Sequence, residues 1–261
     1  MSIEKYRLLQ QGVYVNAMTP AGRLQSLVNK LKPVRTKFPL KRIGAPYDGG
    51  YLIPDDCNDL SACLSPGVAG YATFEESLFA TYGIPSHLAD FSVDGPPPGF
   101  NPKSFQKKFI GPIDDDQHMT LDTWIASLNE GDGDLILQMD IEGAEYLSIL
   151  ACSESVLKRF RIIVVEIHEI ESWGEGNFFK TVEAFFGKLL KYFNVLHNHP
   201  NNCCGIVNLG GFVSPRVFEL TLLRKDRADP LGYCTAFPHP LDGANIPDRP
   251  DLLLPLNWYD Q

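Results

Sequence analysis

Asp140, Glu142 and Glu145 place three carboxylates within six residues of the stretch DLILQMDIEGAEYLSIL, residues 134–150. The stretch opens as an apolar run too short for a helix and bounded by Gly133, as a strand buried on both faces of a parallel sheet reads. It then breaks into acids before turning helical. The carboxyl end of such a strand is where open α/β sheets hold their ligands. Burying acids there costs desolvation that packing alone does not offset. The next strand-like run, RIIVVEIH at 161–168, ends in Glu166 and His168. An imidazole beside carboxylates is suited to moving a proton near neutrality. Oxygen and nitrogen donors from Asp140, Glu142, Glu166 and His168 also suit a divalent cation such as Mg²⁺, a secondary reading here.

Strand ends must position these groups, and the chain alternates strand-like with helix-like segments. Residues 4–31 read as a helical preamble, with Leu24, Leu27, Val28 and Leu31 at helical spacing and Pro33 ending it. In RIGAPYDGGYLIPDD, 42–56, the Asp48-Gly49-Gly50 turn joins two extended pieces. That places Asp48 and Tyr51 in a plain hairpin or on a flap over the site. DLSACLSPGV, 59–68, is the first buried strand, and it runs into a loop through Ser65, Gly67, Val68, Ala69 and Gly70. Thr73 is expected to cap the following helix. A glycine loop between strand and helix lets backbone approach a nucleotide-like ligand, although Pro66 and Ala69 depart from GxGxxG.

SHLAD, 86–90, is a second strand whose final Asp90 lies about twenty residues past the glycines, where Rossmann-like sheets hold a ribose diol. Asp94 competes for that role from the next turn. The segment 107–113 is a third candidate strand. The apolar face at 177–193 predicts an amphipathic helix, and 194–197 and 217–224 two late strands. HNHPNN, 197–202, reads as a polar turn in which His199, Asn201 and Asn202 hydrogen-bond a sugar or merely face solvent. The expected organisation is a helical and hairpin cap at 1–56, a doubly wound, mostly parallel α/β domain at 57–228, and a Pro-rich surface tail at 229–261.

With 261 residues, 44% hydrophobic and 21% charged, the chain has the composition of a globular protein with one sizeable core. A net charge of −9 argues against nucleic acid or an anionic membrane as the main partner. No apolar run has the length of a membrane span, and the first residues lack a signal-peptide pattern. Six cysteines without CxxC spacing are expected to be reduced thiols of a cytoplasmic protein. A nucleoside-bearing ligand is expected, with hydride and methyl transfer both open. The strands beyond the fifth favour methyl transfer on a sheet closed by a late antiparallel strand.

DLILQMDIEGAEYLSIL, RIIVVEIHEI, HNHPNN and FELTLLRKD, with RIGAPYDGGYLIPDD, SPGVAGYATFEE and TLDTWIASL upstream, resemble the FkbM-type S-adenosylmethionine-dependent methyltransferases. The similarity spans roughly residues 40–225. The family's usual fourth-strand sequence carries lysine where this chain has Gln138. The resemblance implies S-adenosylmethionine as cofactor and O-methylation of a sugar, glycan or natural-product hydroxyl. On that reading Ser65, Gly67 and Val68 form the cofactor loop, Asp90 holds the ribose and Asp140 faces the methionine end. Glu75 either holds the methionine ammonium or faces solvent. His168 is the first choice of general base and Glu142, as a desolvated carboxylate, the second. Asp48, Tyr51, His199 and Asn202 are candidate acceptor contacts, and a homo-oligomer is possible. The rival functions are a nicotinamide-dependent oxidoreductase and a catalytically silent cofactor-binding subunit.

Overall fold

The computed structural model describes residues 3–68 and 70–259, so Ala69 of the glycine loop lies outside the described residues. Two helices, α1 (Ile3–Gln10) and α2 (Ala21–Val28), precede a hairpin of β1 (Leu40–Gly44) and β2 (Gly50–Pro54). Then come β3 (Ala62–Pro66), α3 (Thr73–Tyr82), β4 (Ser86–Ala89), β5 (Ser104–Gln106), and the short pair β6 (Phe109–Ile110) and β7 (His118–Met119). The centre of the chain holds α4 (Leu121–Ser127), β8 (Leu135–Met139), α5 (Glu145–Ala151), α6 (Glu154–Leu157), β9 (Phe160–Ile167) and α7 (Gly176–Tyr192). It closes with β10 (Phe193–Pro200), a hairpin of β11 (Ile206–Leu209) and β12 (Phe212–Pro215), and β13 (Phe218–Arg224).

Seven strands form the central sheet in the order β10-β13-β9-β8-β3-β4-β5. Only β13 runs against the others, pairing antiparallel with β9 and with β10. The third strand of the sheet is 104–106, not the expected 107–113, whose Phe109 and Ile110 pair instead with His118 and Met119. The chain leaves β3 toward one edge and returns through β8 toward the other. The switch point of the topology therefore lies between the ends of β3 and β8.

Strand alternation sorts side chains to the two faces. On β9, Ile163, Val165 and Ile167 join the large core that includes Trp124, Trp173 and Phe185. Ile162 and Val164 face the other way, toward Phe74 of α3 and Ile53 of the hairpin. α2 and the hairpin thus pack on the same sheet as everything else. The tail is not confined to the surface either: Trp258 is fully buried against Phe218 and Trp173. An indole supplies more apolar area than the proline-rich spacing before it suggests.

At the amino ends of the strands, Arg161 is only 7% exposed and bonds Asp134 (2.8 Å) and the carbonyls of Asn58 (2.6 Å) and Asp56 (3.1 Å). Removing one partner from a buried network strands the others. Arg161→Ala is therefore expected to cost about 3–5 kcal/mol in a urea melt, with the activity of the folded fraction unchanged. An unshifted denaturation midpoint would contradict this.

Candidate functional site

The same alternation builds the site. Ser65 on β3, Gln138 on β8, Glu166 on β9 and Glu219 on β13 continue the hairpin-facing stripe, but as polar residues, where the parallel strands end. Each is 6% exposed or less. Glu219 pairs in register with Glu166 on one side and His199 on the other. The acidic row thus crosses strands far apart in sequence. Asp140 follows directly on β8, and the turn of the hairpin brings in Asp48.

Two clefts open here and share Asp48, Gly67, Tyr71 and Asp140. The inner cleft, about 60 Å³, is bounded by Tyr51, Ser65, Glu75 and Gln138. The outer, about 520 Å³, reaches Asp90, Ser92, Ile110 and Glu142. Gly67 has φ +81°, and a Cβ there would lie 1.7 Å from the Asp140 carbonyl oxygen. Its role is to let the ends of β3 and β8 touch. Gly67→Ala must push them apart, and a displacement of about 1 Å at such a site can cost ~10²-fold. The expected result is a comparable fall in kcat/KM with the fold retained by circular dichroism. Wild-type kinetics would refute it.

In the inner cleft Glu75 is 3% exposed and does not face solvent. Its carboxylate accepts from the Ser65 hydroxyl, which lies 2.6 Å from Gln138 Oε1, and Gln138 Nε2 donates to Tyr51 Oη at 3.2 Å. Among the described residues no basic side chain is paired with Glu75. Burial raises its pKa, against the lowering effect of the Ser65 bond. Thr73 does not cap α3. Its hydroxyl bonds the Gly49 carbonyl (3.0 Å) and ties the hairpin turn to the helix. Tyr51 is 4% exposed in β2, so it forms a wall of the inner cleft and not a flap. Asp48, at the turn, accepts from Tyr71 Oη at 2.6 Å.

In the outer cleft Asp90 accepts from the Val68 amide (3.1 Å) and from the amide (2.8 Å) and hydroxyl (2.7 Å) of Ser92. Asp94 is fully exposed and paired with Lys107, which removes it as the competitor. Asp140 Oδ1 is buried without a hydrogen-bond partner among the described residues. Burial pushes the Asp140 pKa up to about 6, partly opposed by His168.

His168 Nδ1 lies 3.1 Å from Glu145 Oε1, and Nε2 lies 3.7 Å from Asp140 and 3.5 Å from Glu142. Burial acts to lower the imidazole pKa, but the Glu145 bond and the three carboxylate charges raise it overall. Glu145 is fully buried and accepts the amides of Ile141 (3.0 Å) and Gly143 (2.9 Å), so it shapes the turn that carries Asp140. Glu142 departs from expectation. It sits at φ +56° with its side chain 86% exposed, so it is not a desolvated carboxylate.

Two further candidates lie away from both clefts. His199 is not in a turn but within β10, 4% exposed, because that strand runs on to Pro200. Asn202 is saturated by the tail, donating to the Ile246 carbonyl (3.0 Å) and accepting from the Ile246 amide (2.8 Å). Neither lines the inner or the outer cleft. The sequence reading missed Glu219, Tyr71 and Asn245. Asn245 donates to Glu219 (2.6 Å) and Asp48 (3.3 Å). Glu219 carried a signal, a lone acid in a β-forming run, as Glu166 does. Of the proposed cation set, Asp140, Glu166 and His168 do come within 4.8 Å of one another, and Asp48, Glu166 and Glu219 form a second such group. Burial and neighbouring acids raise the pKa of Glu166, and burial brings Glu219 up to about 7.

A mostly parallel sheet with a cleft at its switch point fits a Rossmann-like methyltransferase. Residues 54–196 match the methyltransferase FkbM domain, and the chain belongs to that family. Comparison with curated proteins and with solved structures finds no match. Among the described residues no helix is long and apolar enough to cross a membrane, and the six cysteines are free thiols.

Proposed function

We propose that this methyltransferase uses S-adenosylmethionine to methylate a hydroxyl of a small-molecule, natural-product or glycan acceptor. The supporting observation is the order of acids along one continuous cleft. An uncompensated buried carboxylate, Glu75, lies at the inner end, orphaned Asp140 at the junction and Asp90 in the outer chamber. That sequence of groups fits an ammonium, a sulfonium and a ribose diol in turn.

When bound, S-adenosylmethionine supplies an electrophilic methyl group. Glu75 holds the methionine ammonium, with Ser65 and Gln138 orienting its carboxylate. Asp90 accepts from the ribose hydroxyls while its bond to the Val68 amide fixes the loop. Asp140 and Asp48 offset positive charge at the junction. Asp48 and Tyr71 line the mouth where the acceptor enters. His168 takes the acceptor proton at Nε2, oriented through Nδ1 by Glu145.

Isothermal titration with S-adenosylhomocysteine and NAD side by side tests the cofactor. Tighter binding of NAD would overturn the proposal in favour of an oxidoreductase. Methyl transfer to a panel of glycosides and hydroxylated small molecules tests the enzyme. Cofactor binding with no turnover on any acceptor, unaltered by His168→Ala, would favour a silent cofactor-binding subunit.

A further inference from the structure

Outside the cleft, one cluster has the donor chemistry of a transition-metal site. His197 and His199 alternate along β10 and so project from the same face, with ring planes 12° apart and centroids 6.5 Å apart. Facing them is Asp242 from the carboxy-terminal tail. His197 Nε2 lies 2.8 Å from Asp242 Oδ1, and His199 Nδ1 lies 3.7 Å from Oδ2. The three side chains are 5%, 5% and 4% exposed, and one donor atom from each falls within 4.8 Å of the others.

We propose that His197, His199 and Asp242 bind a zinc-type divalent ion that clamps the tail onto β10. Neither ring nitrogen of His199 has a hydrogen-bond partner among the described residues, although both are buried. A buried imidazole left this way forfeits a hydrogen bond that water would have given it, and coordination removes the deficit. Tetrahedral zinc with donors at about 2.0–2.2 Å separates neighbouring donor atoms by roughly 3.3 Å. The 2.8 and 3.7 Å spacings straddle that value, so small rotations suffice. Two nitrogens and one oxygen suit zinc and its neighbours, not magnesium or calcium, which take oxygen ligands. The carboxylate is also oriented from behind, since the His239 amide donates to Asp242 Oδ2 at 2.7 Å. Outer hydrogen bonds of this kind accompany metal ligands.

The clamp would matter to the cleft. Asn245, three residues past Asp242, bonds Glu219 and Asp48, so fixing the tail at Asp242 fixes a wall of the acceptor side. The metal site itself does not depend on the proposed reaction.

The test uses the full-length protein, stripped with chelator and titrated with Zn²⁺ or Co²⁺ alone. The expected result is one metal per chain and visible absorption from low-symmetry, four-coordinate Co²⁺. Limited proteolysis is expected to cut the tail around Asp242 more slowly when metal is bound. Asp242→Asn and His199→Gln should each abolish stoichiometric binding, whereas His118→Ala, a half-buried histidine elsewhere that pairs with Asp115, should not. Absence of stoichiometric Co²⁺ binding to the wild-type protein would overturn the proposal without recourse to any variant. So would binding that survives in both variants. Either result would leave Asp242 as a carboxylate shared by two imidazoles.

Discussion

Glu75→Gln is expected to weaken S-adenosylhomocysteine binding by about 30-fold to several thousand-fold, while making the protein more stable. The first effect is the loss of a buried charge partner for an ammonium group, typically ~2–5 kcal/mol. The second follows from the free protein, where burial raises the Glu75 pKa and no basic side chain among the described residues pairs with it. An acid whose folded pKa lies above its unfolded value loses stability as pH rises between the two. An isosteric amide has no such loss. Each kcal/mol recovered raises Tm by about 2–4 °C at this chain length. Affinity of the wild-type protein should itself fall as pH drops through the raised Glu75 pKa, and that dependence should vanish in the variant. Calorimetric titration across pH with parallel melts measures all three. Unchanged affinity in Glu75→Gln would remove Glu75 from the cofactor site.

His168→Ala is expected to lower kcat by ~10²–10⁴ with little change in cofactor affinity. Its pH behaviour is the sharper measurement. A general base must be unprotonated, and the surrounding carboxylates hold the His168 pKa above its usual 6.5. The wild-type rate should therefore climb with pH along a limb centred above 6.5. A cationic cofactor against Asp140 offsets part of the field that raises His168. The limb in kcat should then lie at lower pH than the limb in kcat/KM, which reports the free enzyme. A limb that persists in His168→Ala, moved above 6 because His168 no longer opposes the effect of burial on Asp140, would instead identify Asp140 as the base.

Much of this architecture was readable from residue order. The runs opening at 134 and at 161 are largely apolar on both faces, as a sheet covered on both sides requires, and the structure buries every residue of β8 and β9. Asp90 likewise follows directly on β4, the strand expected after the glycine loop. The errors share a cause. Thr73 was assigned as a cap because its type and spacing fit, yet the nearby hairpin offered its hydroxyl a carbonyl. HNHPNN reads as a polar turn, which holds for Asn202 but not for His199. Pro200 instead closes β10, where pairing with Phe218 lets the strand extend.

Local pattern thus determined the central buried strands and that acids collect at their ends, since periodicity and turn chemistry act over a few residues, whereas the edge strand 104–106 and the full length of β10 were fixed by pairing. Which acids face one another was decided only in three dimensions. Glu142 and Glu145 stand three apart in one motif, yet the first points to solvent from a left-handed turn and the second is sealed inside it. Glu166 and Glu219 meet because an antiparallel strand is inserted beside β9, and Asp48 and Asn245 reach them from opposite ends of the chain. Burial and charge depend on through-space neighbours, so the base strength of His168 and the unpaired charge of Glu75 belong to the fold and not to the motif.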